Sequence, residues 1–160
     1  MKPATETAGT PGANIPGDRV AWLQQVIAGT VPSAGVAKLL GMRVVEAEAG
    51  RVVMALQTER RHANPMGTVH GGILCDLADA AMGMCFFAGL AADESFTTLE
   101  LKINFLRPVW ETTLRAEARV VQRGRSVGMM ECDVTDGEGR LVARVSCTQL
   151  VLRGDAARGR

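Results

Sequence analysis

The sequence predicts an α+β domain in which an antiparallel sheet wraps around one long central helix. Apolar residues recur with the helical period between Gly71 and Gly89, whereas from Phe96 onward they alternate with polar residues. The order of elements is strand, strand, helix and then four strands, and such a sheet needs a hydrophobic helix to cover its apolar face. A length of 160 residues leaves room for one domain of this kind.

Turn residues set the limits of the predicted strands. Before the helix, strands are expected at 42–46 and 51–57, joined by the Ala49-Gly50 turn. After the helix, a strand at 96–105 is followed by strands at 112–122 and 127–135 and by a last one at 141–152. Pro108, the Arg123-Gly124-Arg125-Ser126 turn and residues 136–139 separate these four strands.

The ends of the chain are expected to lie outside the domain, which spans 18–152. Residues 1–17 are rich in Pro, Gly, Ala and Thr and are interpreted as a disordered tail, and 153–160 as a mobile C-terminal tail. Asp18 and Ser33 are suitable caps for two short helices that precede the first strand. The first residues lack an apolar block of signal-peptide length, so the protein is expected to be cytoplasmic.

Composition argues against several classes of partner. A net charge of +1 and only four Phe and two Trp argue against nucleic acid or a membrane surface as partner. The four cysteines form no CxxC pair, and only two histidines are present. Neither a zinc site nor disulfides are therefore expected, and the cysteines are interpreted as reduced, packed thiols.

The long helix has two contrasting faces. One carries the expected core residues Ile73, Leu74, Leu77, Ala80, Ala81, Met84 and Ala88; the other carries Gly72, Asp76, Asp79, Gly83 and Phe86. The second face could be a solvated row of carboxylates near the positive end of the helix dipole. Two interior glycines and a phenylalanine favour a different interpretation, an interface lined by a carboxylate.

A glycine-rich turn leads directly into this helix. The free N–H groups of a first helical turn attract negative charge, including that of a polarised carbonyl oxygen. Gly71 and Gly72 are expected to present such donors at close range.

This stretch carries a resemblance to a known family. Its residues are Asn64, Gly67, His70, Gly71, Gly72, Leu77, Asp79 and Gly83, followed by the strand Thr97-Thr98-Leu99-Glu100-Leu101-Lys102-Ile103-Asn104-Phe105-Leu106-Arg107-Pro108. Together they resemble the hotdog-fold acyl-CoA thioesterases, in particular the PaaI-like branch of the phenylacetic acid pathway. The resemblance covers residues 41–152 and implies a hotdog fold, a homodimer as functional unit and assembly as a dimer of dimers.

The resemblance also implies roles for individual residues. Asp79 would be the nucleophile or the general base, and the N–H of Gly71 would polarise the thioester carbonyl. Asn64 would place the water or the carbonyl, His70 would orient the turn and contact the thioester, and Thr98 would supply a hydroxyl from across the dimer. Such a site supplies the oxyanion stabiliser and the base that thioester hydrolysis needs without a metal or cofactor, since coenzyme A belongs to the substrate.

Each assignment has an alternative. His70 could be purely structural, Asn64 could simply begin a turn before Pro65, and Glu100 could replace Asp79 as the base. The residues Arg123, Gly124, Arg125 and Ser126 could bind the phosphates of coenzyme A, with Gly72 also in contact with the substrate, or could form a solvated hairpin end.

The sequence therefore favours an acyl-CoA thioesterase that hydrolyses an aryl or medium-chain thioester. The alternatives are an acyl-CoA-binding sensor dimer without turnover and, ranked last, an enoyl-thioester hydratase. The sensor is disfavoured because residues 1–31 contain no recognisable DNA-binding helix pair. Candidates for lining an acyl pocket are Met82, Met84, Phe86, Phe87 and Phe105.

Overall fold

A computed structural model describes residues 17–33 and 35–158, so nearly all of the expected N-terminal tail lies outside the described residues. The helices are α1 (Arg19–Ile27), α2 (Gly35–Leu40) and α3 (Gly71–Ala88). The strands are β1 (Met42–Glu48), β2 (Arg51–Gln57), β3 (Ser95–Phe105), β4 (Thr113–Arg123), β5 (Val127–Thr135) and β6 (Leu141–Leu152). Short 3-10 helices occupy Arg60–His62 and Gly154–Ala157. The order and the limits of the predicted strands are confirmed to within two residues.

The six strands form one antiparallel sheet in the order β1-β2-β4-β5-β6-β3. Strand β3 follows α3 in the chain but pairs with the last strand, β6, so it forms one edge of the sheet and β1 forms the other. Helix α3 packs against all six strands. The expected α+β architecture, a sheet wrapped around one central helix, is confirmed.

The buried surface of helix α3 is wider than the single core face that the sequence predicts. Leu74, Leu77 and Ala81 of the expected core face are buried, but so are Ala78 and Met82 outside it. The sheet curls around the helix, so two flanks are covered instead of one. This also explains why α3 is long and apolar enough, by length and composition, to cross a membrane, although half of the segment is buried inside the domain.

The expectation that Gly83 and Phe86 lie at an interface between subunits is wrong. The ring of Phe96, on β3, lies 3.4 Å from the position that a Cβ of Gly83 would take. Phe86 is only 1% exposed and packs edge-to-face against Phe96, with ring centroids 5.8 Å apart. The chain's own edge strand therefore covers this part of the helix face, and Asp76 and Asp79 remain exposed.

Helix α1 is attached to the domain through a buried arginine. Arg19 is 6% exposed, and its guanidinium donates to the backbone carbonyls of Ala91, Ala92 and Glu94. The same group stacks over the ring of Phe87 at 4.6 Å from its centroid. These three carbonyls belong to the loop that connects α3 and β3. Arg19 therefore stabilises the loop that positions Glu94.

Close contact between β5 and α3 gives a stability prediction. A Cβ on Gly128 would overlap the ring of Phe86, which is packed in the core and has no room to move. We expect Gly128→Ala to lower the free energy of unfolding by about 1–3 kcal/mol, as overpacked cores generally do. Urea denaturation measures this change.

The matched control is Gly89→Ala. Gly89 is exposed at the end of α3, its φ is −100°, and an added Cβ would lie 3.7 Å from its nearest neighbour, the carbonyl oxygen of Phe86. Its substitution should change stability by less than about 0.5 kcal/mol. Equal stability of Gly128→Ala and wild type would contradict the packing argument.

Candidate active site

The loop that leads into α3 is shaped by the side chain of Asn64. Its Oδ1 accepts from the N–H of Met66 at 2.9 Å, and its Nδ2 donates to the hydroxyl of Thr68 at 2.8 Å. Backbone bonds between Asn64 and both Gly67 and Thr68 close the turn, and Gly67 has a φ of +87° that favours glycine. Asn64 thus has the turn-forming role left open by the sequence. Its amide group also has a second hydrogen that could serve a ligand.

His70 is the N-cap of α3. Its Nδ1 accepts from the N–H of Gly72 at 2.9 Å, and its own N–H donates to the carbonyl of His62. Since Nδ1 accepts, the ring carries no proton on that nitrogen. The histidine therefore fixes both the direction in which the chain enters the helix and the first helical turn.

This cap decides which glycine can donate to a ligand. The N–H of Gly72 is already used by His70, so the expectation that both glycines present free donors is corrected for Gly72. The N–H of Gly71 has no acceptor among the described residues. It lies at the positive end of the α3 dipole, where an oxyanion is stabilised.

Both glycine positions are tightly enclosed. A Cβ on Gly72 would lie 2.9 Å from Nδ1 of His70, and a Cβ on Gly71 would lie 3.0 Å from the ring of Phe105. Phe105 is 54% exposed and thus forms an apolar wall beside the Gly71 donor. Any larger residue at either position would displace the cap or this wall.

Asp79 forms a hydrogen bond with Thr98 of its own chain. The Thr98 hydroxyl donates to Oδ1 of Asp79 at 3.1 Å. Thr98 therefore supports Asp79 from within the same chain and not from across a dimer. Its expected placement on the same polar face as Glu100 is wrong. The cause is a β-bulge between Thr98 and Glu100, which turns Thr98 toward the helix.

The bulge separates Thr98 from Glu100. Thr98 pairs with Gln149 of β6, whereas Glu100 pairs with the adjacent residue, Thr148. Because neighbouring residues of a strand point to opposite faces, Glu100 lies on the outer face, away from Asp79. There its carboxylate accepts from the hydroxyl of Thr148 at 2.7 Å. This position argues against Glu100 as the base.

Two polar side chains lie under the Thr98–Asp79 pair. Cys147 is 1% exposed, and burial raises the pKa of its thiol to about 11, with the charge of Asp79 adding to the effect. Gln149 is fully buried, and its amide donates to the sulfur of Cys147 at 3.5 Å. Sequence reasoning missed Gln149, although a glutamine at an inward position of an alternating strand is a detectable signal.

The cysteines are poor candidates for a nucleophile. Burial also raises the pKa of the Cys85 thiol to about 11 and that of Cys132 further. Burial and the nearby carboxylates of Asp76 and Asp79 raise the pKa of Cys75. All four thiols therefore stay protonated near neutral pH, and the exposed Asp79 is the better candidate. The described residues contain no group of three or more His, Cys, Asp or Glu that could hold a metal.

The candidate site consists of two separate halves within one chain. Gly71 and Asp79 are eight residues apart on α3, which corresponds to about 12 Å along the helix axis. A thioester carbonyl held by the Gly71 N–H is therefore out of reach of Asp79 in the same chain. Asn64 and His70 belong to the Gly71 half, and Thr98 belongs to the Asp79 half.

The turn between β4 and β5 is engaged in structural contacts. The guanidinium of Arg123 pairs with Glu94 at 3.1 Å and stacks over Phe86 at 4.5 Å from the ring centroid. Arg153 pairs with the same carboxylate. The N–H of Ala91, with the two arginines, holds the pKa of Glu94 below its usual range. Arg123 is thus committed to its own domain, which corrects its expected role as a phosphate ligand.

The remaining residues of this turn form backbone hydrogen bonds, and the side chain of Arg125 is left exposed. Gly124 donates its N–H to Val127 at 2.8 Å, and the carbonyls of Arg125 and Ser126 accept from Arg153 and Val151. The Arg125 side chain is exposed and forms no ion pair within the described part of the chain. Of the two arginines, only Arg125 remains suitable for a ligand.

The residues expected to line an acyl pocket differ in their exposure. Met82, Phe86 and Phe87 are packed in the core, whereas Met84 is half-buried and Phe105 is exposed. A surface cleft of about 590 Å³ borders the Asn64 loop beside Trp110, and Asp79 is not among the residues that line it.

Comparison with known proteins places this geometry in a family. Residues 66–143 match the thioesterase superfamily. The acyl-coenzyme A thioesterase PaaI of Escherichia coli is 33% identical over 109 residues, covering 67% of this chain and 75% of that protein. The 1,4-dihydroxy-2-naphthoyl-CoA hydrolase of Listeria monocytogenes is 27% identical over 114 residues, covering 71% and 93%.

A solved structure agrees with the sequence matches. The phenylacetic acid degradation-related protein from Ralstonia eutropha superimposes with a TM-score of 0.73 at 30% identity, covering 81% of this chain and 98% of its own. The residues that match the superfamily, 66–143, include the start of α3 and Asp79. The chain therefore belongs to the thioesterase superfamily and is a hotdog-fold, PaaI-like thioester hydrolase.

Proposed function

We propose that this protein is an acyl-CoA thioesterase that hydrolyses an aryl or medium-chain acyl-CoA to the free acid and coenzyme A. The observation that carries the proposal is that one helix presents both an exposed carboxylate, Asp79, and a helix-terminal N–H, that of Gly71, which has no acceptor among the described residues. The names of the relatives, an acyl-coenzyme A thioesterase and a hydrolase of an aromatic acyl-CoA, support the substrate class.

The chemistry follows from these two groups. The thioester carbonyl oxygen accepts from the N–H of Gly71, and the α3 dipole stabilises the negative charge that develops there. Asp79 either removes a proton from the attacking water or attacks the carbonyl itself. His70 keeps the first helical turn in place, and Asn64 offers its remaining amide hydrogen to the water or the carbonyl. The reaction requires no cofactor beyond the coenzyme A of the substrate.

The functional unit we propose is a homodimer. The two halves of the site, about 12 Å apart in one chain, can act together only if Gly71 of one chain approaches Asp79 of another. Strand β3 supports this arrangement because it is an unpaired edge of 11 residues beside the exposed apolar residues Leu99, Phe105 and Leu106. By the family resemblance, two such dimers form a tetramer.

Asp79→Asn tests the catalytic assignment. The substitution keeps the shape of the side chain and removes the base or nucleophile, so kcat should fall by roughly 10²- to 10⁴-fold. Thiol release from a panel of aryl and medium-chain acyl-CoA substrates measures it, and circular dichroism confirms folding.

The control is Glu100→Gln, on the outer face of the sheet. Its kcat should stay within about twofold of wild type, because it lies away from Asp79. Activity of Asp79→Asn within threefold of wild type, or a larger loss in Glu100→Gln, would overturn the assignment.

Mixed dimers test whether the site is shared. Co-expressed Asp79→Asn and Asn64→Ala chains form heterodimers with one intact site, so random pairing should restore about a quarter of wild-type activity. Asp79→Asn mixed with Thr98→Ala is the control and should restore none, because both residues belong to the same half. Absence of recovery in the first mixture, or a monomer by light scattering, would contradict the shared site.

Arg125 is proposed to contact the phosphates of coenzyme A. Arg125→Ala should raise KM for acyl-CoA several-fold with kcat nearly unchanged, because a remote binding contact is lost equally in substrate and transition state. The matching N-acetylcysteamine thioester lacks these phosphates, so its hydrolysis should be insensitive.

Arg123→Ala serves as the comparison variant for this turn. Loss of its contacts with Glu94 and Phe86 should lower stability and affect both substrates alike. An unchanged KM for acyl-CoA in Arg125→Ala would show that the turn is a solvated hairpin end.

A further inference from the structure

Phe105 is exposed at a position where the strand pattern places a core residue. After the bulge in β3, Leu101, Ile103 and Phe105 share the inner face of the sheet, and Leu101 and Ile103 pack against the core. Phe105, the last residue of the strand, is 54% exposed. It therefore presents a large apolar surface on the side of the sheet that faces α3.

The start of α3 explains why this ring is not buried. The helix begins with Gly71 and Gly72, which have no side chains to cover it. The tip of the ring, atoms Cζ, Cε1 and Cε2, lies 3.0, 3.2 and 3.6 Å from the position that a Cβ of Gly71 would take. The ring is thus in contact with the residue whose N–H has no acceptor among the described residues.

A thioester bound at this N–H meets the ring of Phe105. Its carbonyl oxygen would lie about 2.9 Å from the Gly71 nitrogen, and C2 of the acyl group is only two bonds beyond that oxygen. The carbonyl carbon carries the acyl chain on one side and the sulfur on the other. The acyl chain is the group that gains by leaving water against an aromatic ring, whereas the sulfur leads to the charged coenzyme A.

We infer that Phe105 is a specificity-determining residue that selects acyl groups with an unbranched C2. A CH2 group at C2 can lie against the ring, whereas a methyl branch on C2 needs the space that the tip of the ring occupies. The inference rests on the proposed function, in which the N–H of Gly71 binds the thioester carbonyl. It adds a steric requirement on one carbon of the substrate, which the carbonyl-binding groups do not impose.

The test compares hexanoyl-CoA with 2-methylhexanoyl-CoA, which differ by one methyl group on C2. The variant is Phe105→Leu, which keeps an apolar side chain and removes the three ring atoms nearest to Gly71. In the wild type, kcat/KM for hexanoyl-CoA should be at least about tenfold higher than for 2-methylhexanoyl-CoA, because a tightly packed apolar site discriminates a single carbon by this amount. In Phe105→Leu the ratio should fall to about threefold or less, because the methyl group fills the vacated space.

The ratio of the two kcat/KM values is the readout, because impaired folding or a weakened dimer changes both substrates alike. Met129→Ala is the matched control. Met129 is 44% exposed on β5, where its buried neighbours Gly128 and Met130 place it on the outer face of the sheet. Loss of this exposed apolar side chain should leave the ratio at its wild-type value. Should Phe105→Leu be insoluble, Phe105→Val removes the same ring atoms.

Equal hydrolysis of the two substrates by the wild type, or an unchanged ratio in Phe105→Leu, would overturn the inference and leave the proposed function intact. An unchanged ratio together with dissociation of the dimer, measured by light scattering, would assign the exposed ring to a contact between subunits instead. Absence of hexanoyl-CoA hydrolysis in the wild type would overturn the inference together with the medium-chain part of the proposed function.

Discussion

The enclosure of α3 by the sheet is the constraint on which the rest of the molecule depends. Its apolar side chains are buried against all six strands and form part of the one hydrophobic core of the described residues. Because the edge strand β3 also closes over Gly83 and Phe86, the helix leaves only a narrow part of its surface open. Asp76 and Asp79 lie in that opening. The location of the carboxylate is thus a consequence of how the sheet ends.

The two halves of the site use different physical devices. At the start of α3, the His70 cap occupies the N–H of Gly72 and leaves that of Gly71 unpaired among the described residues, so the proposed oxyanion donor is a backbone group. In the middle of α3, a β-bulge turns Thr98 inward to meet Asp79. Both devices are rigid, because one lies at a helix terminus and the other within a sheet, and rigid donors stabilise developing charge at little reorganisation cost.

Charges elsewhere stabilise the scaffold. Glu94 joins the α3–β3 connection to the β4–β5 turn through Arg123 and to the chain end through Arg153, while Arg19 holds the same connection from α1. Both arginines of the β4–β5 turn were expected to bind the phosphates of coenzyme A. In the structure, Arg123 contacts Glu94 and Phe86 of its own domain, whereas the side chain of Arg125 is exposed. Proximity in sequence does not distinguish the two, because neighbouring residues in a turn can point to opposite sides.

The sequence by itself determined the α+β class and the order and limits of the strands, because local periodicity and turn residues carry this information. The motif of Asn64, His70 and Asp79 was identified through its resemblance to a known family. Only the tertiary structure decided that Thr98 belongs to the same half of the site as Asp79 and that Glu100 points away from Asp79. It also decided that Gln149 lies opposite Thr98 on the neighbouring strand. These facts depend on one inserted residue in β3 and on its pairing with a strand some fifty residues later. A bulge reverses every later side chain relative to simple alternation, and no local pattern in the sequence marks it.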